Sequence, residues 1–128
     1  MFEEAVRYIE THLSDNWVLT PIDFDNAPFE SNAGEAFLRC QVEWASTEQI
    51  GVGGRYRGEG IVLISVFSPA NSGSRNANEM ADDIAAMFNL YQYNGLKCRF
   101  ASTMRIGQYR EWYQINVIVP FQYDDCLA

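Results

Sequence analysis

The side chains that hold protons, metals and nucleophiles are sparse in this chain. His12 is its single histidine. The pattern around it predicts the last turn of a helix, where an imidazolium suits the negative end of the dipole. Cys40, Cys98 and Cys126 are odd in number and widely separated. Cys40 and Cys98 fall at apolar-phase positions of expected strands, where cysteine behaves as a small hydrophobe. That argues against a disulfide scaffold and fits a reducing cytoplasm. No CxxC or HxxxH spacing occurs, so no metal site is expected. Asp82-Asp83 and Asp124-Asp125 are adjacent pairs, and neighbours do not share a face; both read as solvated surface. Gly51-Val52-Gly53-Gly54-Arg55 lacks the spacing of a dinucleotide loop and the Lys-Ser/Thr of a P-loop, so it reads as a hairpin tip. Ser65 and Ser68 lack a GxSxG elbow. Lys97, Arg99 and Arg105 offer an anion three charges, yet bases on an acidic domain more commonly pair with acids across the sheet or a subunit boundary. Residue types and spacing thus point to a protein-binding domain without catalytic residues, cofactor or metal.

Composition agrees. The 128 residues suit one domain, 1–128, with a substantial core. Hydrophobic residues make up 48% and aromatics 14%, which excludes a disordered chain. A formal charge of −8, from 17 acids and 9 bases, argues against a nucleic-acid or anionic-membrane binder. No apolar stretch approaches a membrane span, and Met1-Phe2-Glu3-Glu4 lacks the basic start of a signal peptide, so neither is expected.

The element that must position everything else is the run Ile61-Val62-Leu63-Ile64-Ser65-Val66-Phe67. It is β-branched, too short for a helix, and apolar at both phases, which predicts a central strand buried on both faces. Pro69 ends it, and Ala70 to Arg75 reads as a crossover. Ala77, Met80, Ala81, Ile84, Ala85 and Phe88 then repeat at three and four, predicting a helix capped by Asn76 and Glu79 with Asp82 and Asp83 turned outward. A second amphipathic helix over 2–13 presents Phe2, Ala5, Val6, Ile9 and Leu13, and Asp15-Asn16 closes it. Trp17 to Phe24 reads as a short strand or extended arm, followed by a polar loop to Gly34.

Ala36 to Trp44 alternates, with Leu38, Cys40, Val42 and Trp44 on one face, predicting a half-exposed strand. Ala45 to Gly60 holds five glycines and reads as a long, mobile hairpin arm. Asn94-Gly95 marks a turn. Leu96 to Ile106 then alternates as one strand with Cys98, Phe100, Met104 and Ile106 on one side. Gly107 to Glu111 turns the chain into a last strand, Trp112 to Tyr123, where Pro120 suggests a sheet edge. The expected fold is α/β in the α+β sense. Its mixed, mostly antiparallel sheet packs against two main helices in the order α-β-β-β-α-β-β.

Four stretches carry a resemblance. They are Ile22-Asp23-Phe24-Asp25-Asn26-Ala27-Pro28-Phe29; Tyr56-Arg57-Gly58-Glu59-Gly60; Phe67-Ser68-Pro69-Ala70-Asn71-Ser72-Gly73; and Trp112 through Tyr123. In this order and spacing, from the first helix to Tyr123, the chain resembles the tail-terminator proteins of long-tailed siphophages. The resemblance implies a virion component without enzymatic activity. It also implies a homo-hexameric ring that caps the tail tube, stops its polymerisation and offers a surface to the head connector or completion protein. DNA would pass through the lumen unbound, with no membrane involved. The protein would lie at the head-proximal end of the tail, after assembly in the host cytoplasm.

Contacts of such a ring are expected on the arm, at Glu48, Ile50, Val52, Arg55, Tyr56 and Arg57, and at the aromatics Phe37, Tyr109 and Trp112. The three aromatics either bury between subunits or cover the domain's own loops. Another head–tail joining or tube-like ring protein is the nearest alternative. A small-ligand module using the Gly51–Arg55 loop is an alternative of a different class.

Overall fold

The structure is a computed structural model, and it describes residues 2–18, 20–24, 36–49, 51, 53–69, 74–109 and 112–126. Helix α1 spans Phe2–Asn16 and α2 spans Ser74–Phe88. The strands are β1 (Ile22–Phe24), β2 (Phe37–Gln49), β3 (Arg55–Pro69), β4 (Gln92–Tyr93), β5 (Leu96–Cys98), β6 (Ser102–Tyr109) and β7 (Trp112–Cys126). They form one sheet in the order β1-β2-β3-β7-β5-β4, with β6 also on β7. β1 runs parallel to β2 and every other pairing is antiparallel. This is the expected α+β fold, with the predicted fourth strand, Leu96 to Ile106, divided into β5 and β6.

β3 lies between β2 and β7, as its apolar run predicts. Val62, Ile64 and Val66 are fully buried and meet Val42, Cys40 and Leu38 on one side and Val119, Val117 and Ile115 on the other. Both helices cover this face. Ala77, Met80, Ala81, Ile84 and Phe88 of α2 and Ala5, Ile9 and Leu13 of α1 join the same core. Removing apolar area of this kind from water is the main stabilising term, about 25 cal/mol per Å². On the other face burial is partial: Ile61, Leu63 and Phe67 are half-buried and Ser65 is buried. The expectation of burial on both faces therefore holds fully for one of them.

Four expectations are corrected. α2 begins at Ser74, so Asn76 is an exposed residue inside the helix and not its cap. Of Trp17 to Phe24, three residues are strand; Trp17 is buried, and its indole N–H donates to Thr20 Oγ1 at 2.8 Å. The alternation from Leu96 to Ile106 is interrupted. Residues 99–101 leave the ladder, and Phe100, Met104 and Ile106 are exposed while Cys98 is buried. That break also separates Lys97, Arg99 and Arg105, which form no single stripe.

Pro120 is not at a sheet edge, because β7 has neighbours on both sides. The Arg99 N–H donates to the Pro120 carbonyl at 2.8 Å, so the polar groups of Pro120 face the β5/β6 side. β5 pairs from Phe121 onward and β6 from Ile118 backward. The missing N–H thus falls where β5 has ended and β6 has not begun, so it interrupts the ladder at a break already present.

Gly60 serves a close approach. It faces Trp44, one residue before a bulge in β2, and Phe121 of β7. A Cβ there would collide with the Glu43 carbonyl and come within 3.2 Å of the Phe121 ring. Trp44 and Phe121 instead close over the glycine edge-to-face, with centroids 5.1 Å apart. Replacing Gly60 by Ala is expected to cost about 1–3 kcal/mol, in the range of core overpacking. A urea midpoint unchanged from wild type would show that the bulge yields freely.

Candidate functional site

The long strands run past the helices at both ends, and each end presents a surface. At one end, β2 and β3 stay paired out to Gln49↔Tyr56, while β7 pairs with β3 out to Arg55↔Cys126. The stretch read as a mobile arm is therefore a three-stranded extension of the sheet, with Gly51, Gly53 and Gly54 beyond its last pair. Gly51, Gly53 and Gly54 have φ of 82°, 83° and 80°. Glycine is favoured there by left-handed backbone rather than by mobility. Gly58 and Gly60 belong to the buried face of β3.

A polar row crosses this extension. Glu48, Arg57 and Asp124 are register partners on three successive strands. The Arg57 guanidinium donates from Nε to Asp124 Oδ1 at 2.7 Å and from Nη2 to Oδ2 at 3.1 Å. This two-point fork fixes the geometry better than a single contact does. The hydrogen bond to Arg57, reinforced by its charge, holds the Asp124 carboxyl below its ordinary range and raises the Arg57 guanidinium. Asp124 is thus an ion-pair partner and not merely solvated surface. The last strand runs on past Tyr123 to include Asp124, and the register that sets it opposite Arg57 is a long-range pairing that no local pattern signals.

At the base of the extension, Tyr123 donates its hydroxyl to Glu4 Oε2 at 3.1 Å. Tyr8 packs edge-on against Tyr93 and Tyr123, at 5.0 and 6.4 Å between centroids. These tyrosines tie α1 to the end of β7.

At the opposite end of the sheet, Phe37 stacks on Phe67 at 4.7 Å and meets Trp112 edge-on at 5.2 Å. The Arg39 guanidinium lies 5.3 Å from the Phe67 centroid and pairs with Asp23 at 3.1 Å. Phe37 is 7% exposed, so it is buried within its own chain and not displayed. Trp112 is half-buried.

The expected contact residues therefore divide. Glu48 and Arg55 are exposed on the extension, Arg57 is half-buried in its ion pair, and Tyr56 is buried at 7% exposure. Phe37 and Trp112 gather at the far end. Tyr109 pairs through its backbone with Trp112; its side chain, and all of Ile50 and Val52, lie outside the described residues.

Among the described residues no group of three or more His, Cys, Asp or Glu comes together to hold a metal. His12 lies one turn inside α1, not in its last turn. Its Nε2 bonds the Met87 carbonyl at 2.9 Å, its Nδ1 is 3.3 Å from Asn16 Nδ2, and its ring stacks on Tyr91 at 3.6 Å. It joins the two helix ends along a shallow groove lined by Arg7, Tyr8, Thr11, Asp15, Tyr91 and Tyr93. Cys40 and Cys98 are both buried, and burial pushes the Cys98 thiol up to about 12.

Compared with known proteins, residues 6–121 match the family described as phage tail terminator protein. The chain belongs to the phage tail terminator family. It is accordingly a structural component of a phage tail, and so of a virion. No curated protein matches. One solved structure shares 23% identity with a TM-score of 0.73, covering 98% of this chain and 98% of that one, which shows a common fold. In this terminator-family chain no helix of the described residues is long and apolar enough to cross a membrane.

Two outcomes follow from the ion pair and the thiol. Because its folded-state pKa is depressed, Asp124 contributes stability above the ordinary carboxylate range, and that contribution is lost as pH falls through the depressed value. Asp124→Asn should lag wild type in thermal stability at neutral pH, with the gap closing below about pH 4. A gap independent of pH would contradict this. Cys98 should resist iodoacetamide at pH 8 in the folded protein and react on denaturation; rapid modification of the native thiol, read by peptide mass, would contradict its burial.

Proposed function

We propose that this protein terminates the tail of a siphophage by closing into a ring of six copies on the finished tube. The ring blocks further addition of tube protein and presents its other side to the head connector or completion protein. The family match over nearly the whole chain is the observation that carries this reading. The structure supplies suitable parts. A sheet held on one face by two helices is a stiff subunit, and its three-stranded extension is preformed, so docking would not have to order a long flexible arm. A net charge of −8 would let DNA pass through the lumen without adhering to it. The ring would act at the head-proximal end of the tail, after assembly in the host cytoplasm.

The extension is the element proposed to dock on tube or connector, through the exposed Glu48 and Arg55 and the glycine-rich sequence between them. Its strands must be left intact in any test, since Tyr56 is buried and Arg57 holds Asp124. Replacing residues 50–54 alone by a two-residue Asn-Gly turn should leave the melting temperature nearly unchanged. In electron micrographs, tails assembled with this variant, or without the protein, should be of uncontrolled length or fail to join heads. Normal tails and infectious particles from the tip variant would remove the tip from docking. Normal tails without the protein would refute termination itself, and polymerisation of the purified protein alone would favour a tube-like subunit.

A further inference from the structure

The body of the sheet is four long strands, β2, β3, β7 and β6, each antiparallel to the next. Its two flanks are unequal to any partner inside the chain. β6 pairs along one side with β7, and among the described residues no strand pairs with its other side. β1 covers β2 at Leu38 to Cys40 and no further. Beyond it, Ala45 to Glu48 are exposed. On β6, Ser102 through Ile106 are all exposed, including Met104 at 52% and Ile106 at 49%. Uncovered edges of this kind are templates for another strand, and natural proteins normally blunt them.

The direction of the backbone groups can be followed. The Arg99 N–H to Pro120 carbonyl bond directs the even-numbered residues of β7 toward the β5/β6 side. Thr103 pairs with odd-numbered Val117, and Arg105 with Ile115. Their own N–H and C=O groups therefore point away from β7. After the bulge between Arg105 and Gly107 the same holds for Gln108, the partner of Tyr113. On β2 the Leu38 N–H donates outward to the Pro21 carbonyl, which fixes that edge as the outer one.

We propose that copies of this chain join head to tail by strand addition, the outer edge of β6 pairing with the outer edge of β2 in the next copy. Parity carries the assignment. Four alternating strands separate the two edges, so a neighbour in the same orientation brings its β2 up antiparallel to β6. The alternation of the sheet then continues across the boundary. Such a contact uses different surfaces on its two sides and so generates a ring, whereas β6 against β6 would stop at a dimer. The helices stay on one side of the joined sheet. This joint rests on the ring proposed above and specifies how its members meet.

A photoreactive residue placed at Gln108 tests it in tails assembled with the full chain. Cross-linked peptides should connect position 108 to residues 41–49 of another copy. Thr103→Pro provides a second arm, because it deletes an outward N–H while sparing the bonds to β7. The purified variant should keep the wild-type circular dichroism, and its copies per tail should fall at least tenfold. Cross-links running from β6 to β6, or to another surface, would overturn the joint even if Thr103→Pro failed to fold. So would wild-type occupancy by a folded Thr103→Pro protein. If wild-type tails carry six copies and the cross-links run elsewhere, the joint alone is wrong. If wild-type tails carry no ring of copies, the ring reading falls first and the joint with it.

Discussion

A mismatch of lengths governs this molecule. β3 and β7 each have 15 residues, as do both helices. A strand of that size spans about 50 Å and a helix of that size about 22 Å. Two helices lying on such a sheet can bury its middle and not its whole length. The apolar residues follow that limit: Val62, Ile64 and Val66 and their register partners sit beneath the helices. Beyond it the chemistry changes to a forked ion pair and a tyrosine cluster at one end, and to stacked aromatics at the other.

Each change compensates for missing helix cover. Arg57 and Asp124 cross-brace β3 and β7 in the extension. Tyr123 reaches back to Glu4, so the start of α1 holds the last strand close to the point where the sheet extends. Trp44 and Phe121 meet over Gly60, covering the bare backbone at the edge of the core. The docking proposed above would gain from this division. The packed middle makes it rigid, and the uncovered ends stay available for contacts between proteins.

Much of this was legible in the sequence where one period dominates. The α2 stripe from Ala77 to Phe88 and the run from Ile61 to Phe67 each obey a single repeat, and both occupy the places that repeat implies. Features set by long-range pairing were not legible. Pro120 looks like an edge residue until β5 and β6 are seen to part opposite it. Leu96 to Ile106 alternates but for Ser102 in the apolar phase, and a single serine does not announce that residues 99–101 leave the ladder. His12 appears to be a helix-end charge until Met87 and Tyr91, distant in sequence, close on it. The five glycines suggested mobility, yet Gly58 and Gly60 are buried in a strand. The tail terminator assignment itself came from ordered turn and strand signatures, which no single residue carries.

Residues 45–49 and 55–60, with the end of β7, form a preformed extension of the sheet in the isolated subunit. Amide hydrogen exchange on the purified protein tests this directly. The amides of Arg57, Glu59 and Tyr123 should be protected to a degree comparable with those of Ile64 and Val117 in the core strands, while the glycine tip exchanges quickly. Exchange throughout 45–60 at the rate of an open loop, with the core still protected, would contradict the claim and restore a flexible arm that orders only on docking.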